Sequence, residues 1–318
     1  LVVQEVFTAA GITTAQLGRD ASNEGATVSS NSWIAGYWGD YNGYCQDYDA
    51  QTRDANNVRP GDQPIFYSFG AGNDGYYGAG TIAPPSLAKN VLSVGSVGND
   101  KWGASSTQIS GFSSRGPTND GRIKPDVLMP GDIVASARSL DPGASSGWGK
   151  PVDGGDSYVF GSGTSMATPG AAGAAAVVRN YLRDARGEDP SPSMVKALLI
   201  NGATPLAGYA YPGFDQGWGR VDLDRSLLER ANYYIYRFDQ QVRLDTSPGT
   251  DEAIFWFMVY NDQPLKVTLV WTDVEGAPSA TKDLVSDLDL ELWDGEGLRY
   301  SGNDFLSGQS RVNTSGDP

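Results

Sequence analysis

The chain has 318 residues, which is enough for two domains at the usual roughly 100–200 residues per domain. Its 23 basic and 38 acidic side chains leave a net charge of −15, which repels phosphate backbones and argues against nucleic acid as a partner. The chain contains one cysteine, Cys45, and no histidine, so an internal disulfide is excluded and the usual general base at neutral pH is absent.

The first 230 residues alternate between short β-branched runs and helical patterns. Strands are predicted over residues 26–32, 64–69 and 91–97, and helices over 47–56, 164–184 and 193–202. Ser191 or Ser193 is expected near the N-cap of the last helix, with Gly202 at its end. Buried strands that alternate with helices predict an α/β fold with a mainly parallel sheet.

From about residue 231 the pattern changes to alternating apolar and polar positions, separated by turns rich in Gly, Pro, Ser and Asp. The alternating segments are 234–238, 254–260, 265–271 and 287–293. They predict a smaller all-β, jelly-roll-like sandwich over residues 231–318, incomplete at its C-terminal end. No apolar run approaches the roughly 18 residues that a membrane span needs, so no span is predicted.

A serine at the start of a small-residue helix is the first candidate for chemistry. Residues 161–169 read GSGTSMATP and are followed by a run of Gly and Ala. Backbone N–H groups and the helix dipole at such a start stabilise negative charge, and Gly163 lets a substrate backbone approach closely. The alternative is that Ser162 or Ser165 only caps the helix.

Asn73 is the second candidate, because it follows a predicted strand in a glycine-rich turn. Its amide has two donors that could stabilise an oxyanion. Gly70, Gly72 and Gly75 also match the GxGxxG pattern of dinucleotide sites. That alternative is disfavoured, because residues 76–85 cannot begin the helix on which a pyrophosphate would bind.

Several motifs together resemble the subtilisin-like serine proteases, the subtilase family. They are GTSMATP at 163–169, AGN at 71–73, FSSRGP at 112–117, DGRIKPDV at 120–127 and GWGRV at 217–221. The segments 265–273, 287–290 and 302–304 resemble the C-terminal β-sandwich of oxidatively stable alkaline proteases in that family. The resemblance covers nearly the whole chain, with residues 1–230 as the C-terminal part of a catalytic domain.

The resemblance implies roles for particular residues. Ser165 matches the nucleophile, and Asn73 matches the side-chain donor of the oxyanion hole, with the Ser165 N–H as second donor. The implied substrate-binding residues are Ser32, Trp33, Gly70, Ala71, Gly72, Gly163 and Thr164. For Trp33, core packing remains an equal alternative. Pro85 matches a cis-proline turn near the cleft.

The family's aspartate and histidine motifs, which precede the oxyanion asparagine, have no counterpart in this chain. Ser165 therefore has no general base, and Thr168 stands where a Ser-x-x-Lys base would be. We expect the chain to be inactive alone and to belong to a longer protein whose N-terminal segment carries the Asp and His. The expected activity is that of a secreted serine endopeptidase acting on polypeptides.

The resemblance also implies structural calcium. Asp289 and Asp304 match positions that hold calcium in the related β-sandwich. The alternative is that both are solvated turn carboxylates.

Two other functions remain open. The chain could be a non-catalytic binding or scaffold protein built on a subtilase core. An esterase is a third reading, because residues 163–167 approach GxSxG, but Ala167 and the long small-residue helix argue against it.

Overall fold

The computed structural model describes residues 1–6, 11–139, 152–155, 157–229, 233–240, 244, 252–259, 264–278 and 280–313. The main sheet has four parallel strands, and their order in space, β1-β2-β3-β4, follows their order in the chain. These strands are Val28–Asn31 (β1), Phe66–Gly70 (β2), Leu92–Val97 (β3) and Val127–Pro130 (β4). The predicted α/β fold with a parallel sheet is confirmed.

The central strands form the middle of the core. Every residue of β2 and β3 is buried, as expected for parallel strands that are covered on both faces. Asn31 pairs with Phe69, and Gly70 pairs with Val94, so the carboxyl ends of β1 and β2 lie side by side. The segments that follow these strands therefore meet at one edge of the sheet.

Five α-helices flank the sheets in the described part of the chain. They are Thr14–Asn23 (α1), Gly43–Arg53 (α2), Thr164–Tyr181 (α3), Pro192–Gly202 (α4) and Leu223–Leu227 (α5). The Ser191 hydroxyl accepts a hydrogen bond from Met194 N at 3.0 Å, which identifies Ser191 as the N-cap of α4. None of these helices combines the length and apolar character needed to cross a bilayer.

Helix α3 packs directly on the sheet because its inner face is almost without bulk. Ala167, Ala171 and Ala175 are fully buried in one core cluster with Phe66 and Leu92. Alanine side chains let the helix axis approach the strands closely. This packing fixes the first turn of α3 at the edge where β1 and β2 end.

Two antiparallel sheets complete the described structure. Val134–Ala137 (β5) pairs with Tyr158–Gly161 (β6), which leads into α3. Near the C-terminus, Glu291–Trp293 (β7), Arg299–Leu306 (β8) and Gln309–Val312 (β9) form a three-stranded sheet. This small sheet agrees with a C-terminal β domain, whereas the second sheet of a sandwich is not found among the described residues.

Several predicted C-terminal strands differ from the structure. Of the segment 287–293, only residues 291–293 form a strand. The described residues of the other three segments, 234–238, 254–260 and 265–271, form no strand. Residue 260 lies outside the described residues. Alternation shows which side chains can face a core, but a strand also needs a neighbour that completes its hydrogen bonds. In 265–271, Lys266 O and Thr268 Oγ1 instead accept hydrogen bonds from Asn201 Nδ2 of α4.

A buried ion pair joins the segment 264–278 to the parallel-sheet region. Lys89 Nζ donates to Asp273 Oδ2 at 2.6 Å, and the two side chains are only 5% and 2% exposed. Burial by itself raises the pKa of Asp273, but Lys89 and the backbone N–H groups of Val285 and Ser286 outweigh it and hold the pKa below its usual range. Lys89 therefore neutralises a carboxylate that has little access to water.

Replacing Lys89 with alanine is expected to lower the free energy of unfolding by about 3 kcal/mol, because it leaves Asp273 buried without a cation. The control is Lys282→Ala. Lys282 pairs with Asp287 at 2.7 Å, but these side chains are 61% and 62% exposed, and the expected loss of stability is therefore much smaller. Urea denaturation of both variants measures the difference, and equal losses would contradict a special role for the buried pair.

Candidate active site

The candidate site lies at the carboxyl edge of the parallel sheet. Ser32 follows β1, residues 71–73 follow β2, and α3 begins at Thr164 above them. A cleft of about 160 Å³ opens between these three segments. It is lined by Ser32, Trp33, Ile34, Gly70, Gly72, Asn73, Asp74, Thr164 and Ser165.

Ser165 lies in the first turn of α3 and is half-buried. Its hydroxyl makes one long contact of 3.5 Å with Ser32 O, while Ser32 Oγ donates to Ser165 O at 2.8 Å. No described residue accepts a hydrogen bond from the Ser165 N–H, as expected for the start of a helix. The hydroxyl and a free N–H donor are thus presented together at the mouth of the cleft.

Asn73 is held by the residue that precedes Ser165. Its Oδ1 accepts hydrogen bonds from Thr164 N at 2.9 Å and from Thr164 Oγ1 at 3.1 Å. Thr164 Oγ1 in turn accepts from Gly72 N at 3.2 Å. Because the carbonyl oxygen is occupied in this way, the Asn73 NH₂ group remains as the donor in the cleft.

Gly163 adopts a backbone conformation that favours glycine. Its φ of +155° is rare for residues with a side chain, although a Cβ there would make only an ordinary contact of 3.5 Å with Asn73 Nδ2. Gly70, which lines the cleft, is limited by space instead, since a Cβ would lie 3.0 Å from Thr164 Oγ1. The lack of a side chain at Gly70 therefore keeps the cleft open beside Thr164.

Trp33 combines the two interpretations that the sequence leaves open. Its ring contacts Phe69, Tyr48 and Tyr44, with centroids 5.4, 5.9 and 6.0 Å away. It is half-buried and also lines the cleft. The residue therefore packs on aromatic rings of the core and also lines the cleft.

Ala71 lies behind the cleft rather than in it. It is fully buried, its N–H donates to Val94 O, and its carbonyl accepts from Ala83 N. Its placement therefore does not support direct contact with a substrate. Conversely, Ile34 and Asp74 line the cleft although neither was among the predicted site residues; each directly follows a residue that was.

The cleft presents a serine hydroxyl and N–H donors, but among the described residues that line it no histidine is present and one carboxylate is found. The whole sequence lacks histidine, and Asp74 is the carboxylate that lines the cleft in the part of the chain that the structure describes. Asp74 Oδ2 accepts a hydrogen bond from Trp38 Nε1 at 2.9 Å rather than from Ser165. In the described part of the chain, no carboxylate or other basic side chain is hydrogen-bonded to the Ser165 hydroxyl.

The described residues do not assemble a calcium cage. No group of three or more His, Cys, Asp or Glu side chains among them could hold a metal ion. Asp304 is paired with Arg311, which already supplies it with a cation. The structure does not bring Asp289 into a ligand cluster either, so calcium at Asp289 and Asp304 stays a prediction.

Comparisons with known proteins agree with the motifs. The model of the subtilase family matches residues 5–219. The serine protease/ABC transporter B family protein tagA of Dictyostelium discoideum is 35% identical over 212 residues, which are 60% of this chain and 12% of tagA. Serine protease AprX of Bacillus subtilis is 39% identical over 139 residues, 43% of this chain and 30% of AprX.

Among solved structures, the self-cleaved protease domain of PatA is similar with a TM-score of 0.46 and 24% identity. The match covers 68% of this chain and 67% of that domain. The chain spans less than a third of the length of either curated relative, tagA or AprX.

Proposed function

The chain belongs to the subtilase family, and from that premise we propose that it supplies the nucleophile and the oxyanion hole of a serine endopeptidase. The observation that carries the proposal is the shared cleft of Ser165 and Asn73, with Thr164 hydrogen-bonded to Asn73 at 2.9 Å. A serine that only caps a helix would not need an amide donor held beside it. The substrate class is polypeptide.

In the proposed reaction, Ser165 Oγ attacks the carbonyl carbon of a peptide bond and forms a tetrahedral intermediate. The negative charge develops on the carbonyl oxygen, where Asn73 Nδ2 and the Ser165 N–H donate hydrogen bonds. The helix dipole of α3 adds favourable potential at the same place. When the C–N bond breaks, the amine leaves and an acyl-enzyme remains, which water then hydrolyses.

The proton of Ser165 has to move to a base and then to the leaving amine. Since the chain has no histidine, we propose that an N-terminal segment of the same protein supplies the His and the Asp that orients it. The 318 residues alone are expected to be inactive. We further propose that the protein is secreted, in keeping with its acidic charge of −15.

Covalent labelling tests the proposal. The intact protein, with whatever sequence flanks these 318 residues, is treated with a fluorophosphonate and digested for mass spectrometry. The expected adduct is on Ser165. Absence of the adduct, in a protein that also fails to cleave casein, would reject the peptidase and favour the scaffold alternative.

Structural calcium, if held near Asp289 and Asp304, would be bound by hard oxygen ligands. Excess chelator is then expected to lower the Tm of the intact protein, because an ion that binds only the folded state stabilises it by mass action. Asp289→Asn provides the matched variant, with a smaller response to chelator. An unchanged Tm in both proteins would count against calcium at this place.

A further inference from the structure

The segment 280–286 of the C-terminal region lies against the parallel-sheet region through buried polar contacts. Asp273 Oδ2 and Oδ1 accept hydrogen bonds from two backbone N–H groups of this segment, at 2.9 and 2.8 Å. Lys89, the partner of Asp273, also donates from Nζ to Asp283 O at 2.8 Å. The backbone around Asp283 is therefore attached to the parallel-sheet region, independently of its side chain.

The Asp283 side chain meets a second carboxyl group at this contact. Arg122, in the loop before β4, donates from Nε to Asp120 Oδ2 at 2.8 Å and from Nη2 to Asp283 Oδ2 at 3.0 Å. The Asp283 N–H also donates to Asp120 Oδ2 at 3.2 Å. The side chains of Asp120 and Asp283 are only 3% and 6% exposed. Two acidic groups thus lie together, largely away from water, beside a single guanidinium.

One oxygen of these two carboxyl groups lacks a hydrogen-bond donor. Asp283 Oδ1 is buried, and no described residue donates to it. A buried acceptor without a donor costs free energy, and a buried charge costs more. A proton on Asp283 removes the charge and supplies an O–H that donates to Asp120. Two carboxyl groups in one site commonly share a proton for this reason.

The surroundings move the pKa values of the two carboxyl groups in opposite directions. Burial and the nearby charge of Asp120 raise the pKa of Asp283 above its ordinary value, although Arg122 opposes them. Burial also acts on Asp120, but hydrogen bonds and charge from Arg122 outweigh it and lower the pKa of Asp120. Asp283 is therefore the member of the pair that holds the proton.

Further charged side chains lie around the pair, on α2, on the segment before β3 and on the C-terminal chain. They are Asp49, Arg53, Lys89, Asp273, Glu275 and Lys282. Burial of Asp273 and Glu275 is outweighed by hydrogen bonds and by their cations, and their pKa values are lowered. Such carboxylates strengthen a contact above their ordinary pKa and lose that effect in acid. Asp283 has the opposite sign, because a contact that raises its pKa weakens as the pH rises through that pKa.

We propose that Asp283 shares a proton with Asp120 when the segment 280–286 is docked, so that this attachment of the C-terminal region loosens as Asp283 ionises with rising pH. Arg122 and Lys89 hold the segment, and the proton adjusts how firmly it is held. The contact is thus a pH-sensitive joint between the C-terminal region and the parallel-sheet region.

Hydrogen exchange of the intact protein, measured by mass spectrometry, tests the shared proton. Exchange of the backbone N–H groups of 280–286 is compared between the unaltered protein and Asp283→Asn at matched pH and constant calcium, from about pH 4 to about pH 8. The amide keeps the shape of the carboxyl group, offers an NH₂ donor to Asp120 and does not ionise. We expect similar exchange near pH 4 and about 10-fold faster exchange in the unaltered protein near pH 8, since a buried carboxylate is then left without a donor.

Two further variants make the comparison specific. Asp62→Asn removes the same charge from an exposed loop before β2, and its exchange in 280–286 should equal that of the unaltered protein at every pH. Asp283→Ala removes the carboxyl group without supplying a donor. The exchange rate of the unaltered protein relative to Asp283→Ala should rise with pH in the same way, which decides the question if Asp283→Asn does not fold.

The dependence on pH separates the shared proton from an ordinary ion pair. A ratio of unaltered protein to Asp283→Asn that grows with pH supports the proposal, because the other carboxylates are the same in both proteins and cancel. A ratio that stays constant over the whole range, or faster exchange in Asp283→Asn near pH 8, would overturn it. The measurement uses no substrate, so its result does not depend on the proposed peptidase.

Discussion

Replacing Ser165 by alanine is expected to remove peptide hydrolysis from the intact protein, with a loss in kcat of at least about 10⁴-fold. Losing the nucleophile of such a triad leaves only the rate acceleration that substrate binding and the oxyanion donors contribute. The expected loss in kcat is of the size known for serine proteases of this mechanism. Because Ser165 Oγ makes only a 3.5 Å contact with Ser32 O, the fold should change little. Burst kinetics with an ester substrate and the Tm measure both effects.

Ser162 provides the matched control for this variant. It lies three residues before Ser165, and its hydroxyl accepts a hydrogen bond from Ile133 N at 2.9 Å, away from Asn73. Ser162→Ala should keep the covalent label. Loss of the label in Ser162→Ala, together with its retention in Ser165→Ala, would show that Ser162 and not Ser165 is the nucleophile.

Removing the amide donor of Asn73 is expected to lower kcat less than removing Ser165, but still by a large factor. Asn73→Ala should lower kcat by about 10²- to 10³-fold, or about 2.7–4 kcal/mol in transition-state stabilisation, the range established for the corresponding donor of subtilisin. KM should change much less, because the bond strengthens only as the oxyanion forms. Steady-state kinetics on one peptide substrate measure both constants.

Asn73→Asp separates the donor from the structural role of the residue. An aspartate keeps the oxygen that accepts hydrogen bonds from Thr164 N and Thr164 Oγ1, but it lacks the NH₂ group. The Tm of Asn73→Asp should therefore be closer to that of the unaltered protein than the Tm of Asn73→Ala, while kcat stays low in both variants. A kcat that recovers in Asn73→Asp would show that the contact with Thr164, and not the donor, is what catalysis needs.

Much of the parallel-sheet region can be predicted because its signals are local. Continuous apolar runs indicate β2 and β3, and the small residues after Thr164 indicate a helix that can be buried. The cis peptide bond before Pro85 is also found. Parallel strands end at one edge of the sheet. Asn73, which follows β2, can therefore be expected at that edge, beside the start of α3.

The features that the sequence did not indicate depend on contacts between distant residues. Trp38 and Asp74 are 36 positions apart, and their hydrogen bond forms only when two loops meet above β2. Ala71 belongs to a matching motif, but the fold buries it. In the C-terminal region, exposed and half-buried positions alternate over all of 287–293, but only 291–293, which pairs with β8, is a strand.

A crystal structure of the intact protein with a peptide boronic acid would show whether Ser165 and Asn73 act on the same substrate group. The boron should be bonded to Ser165 Oγ, with one boronate oxygen about 2.7–3.1 Å from Asn73 Nδ2 and from the Ser165 N–H. A boronate attached to another residue, or one whose oxygens all point away from Asn73, would contradict the assignment of this cleft as the catalytic site.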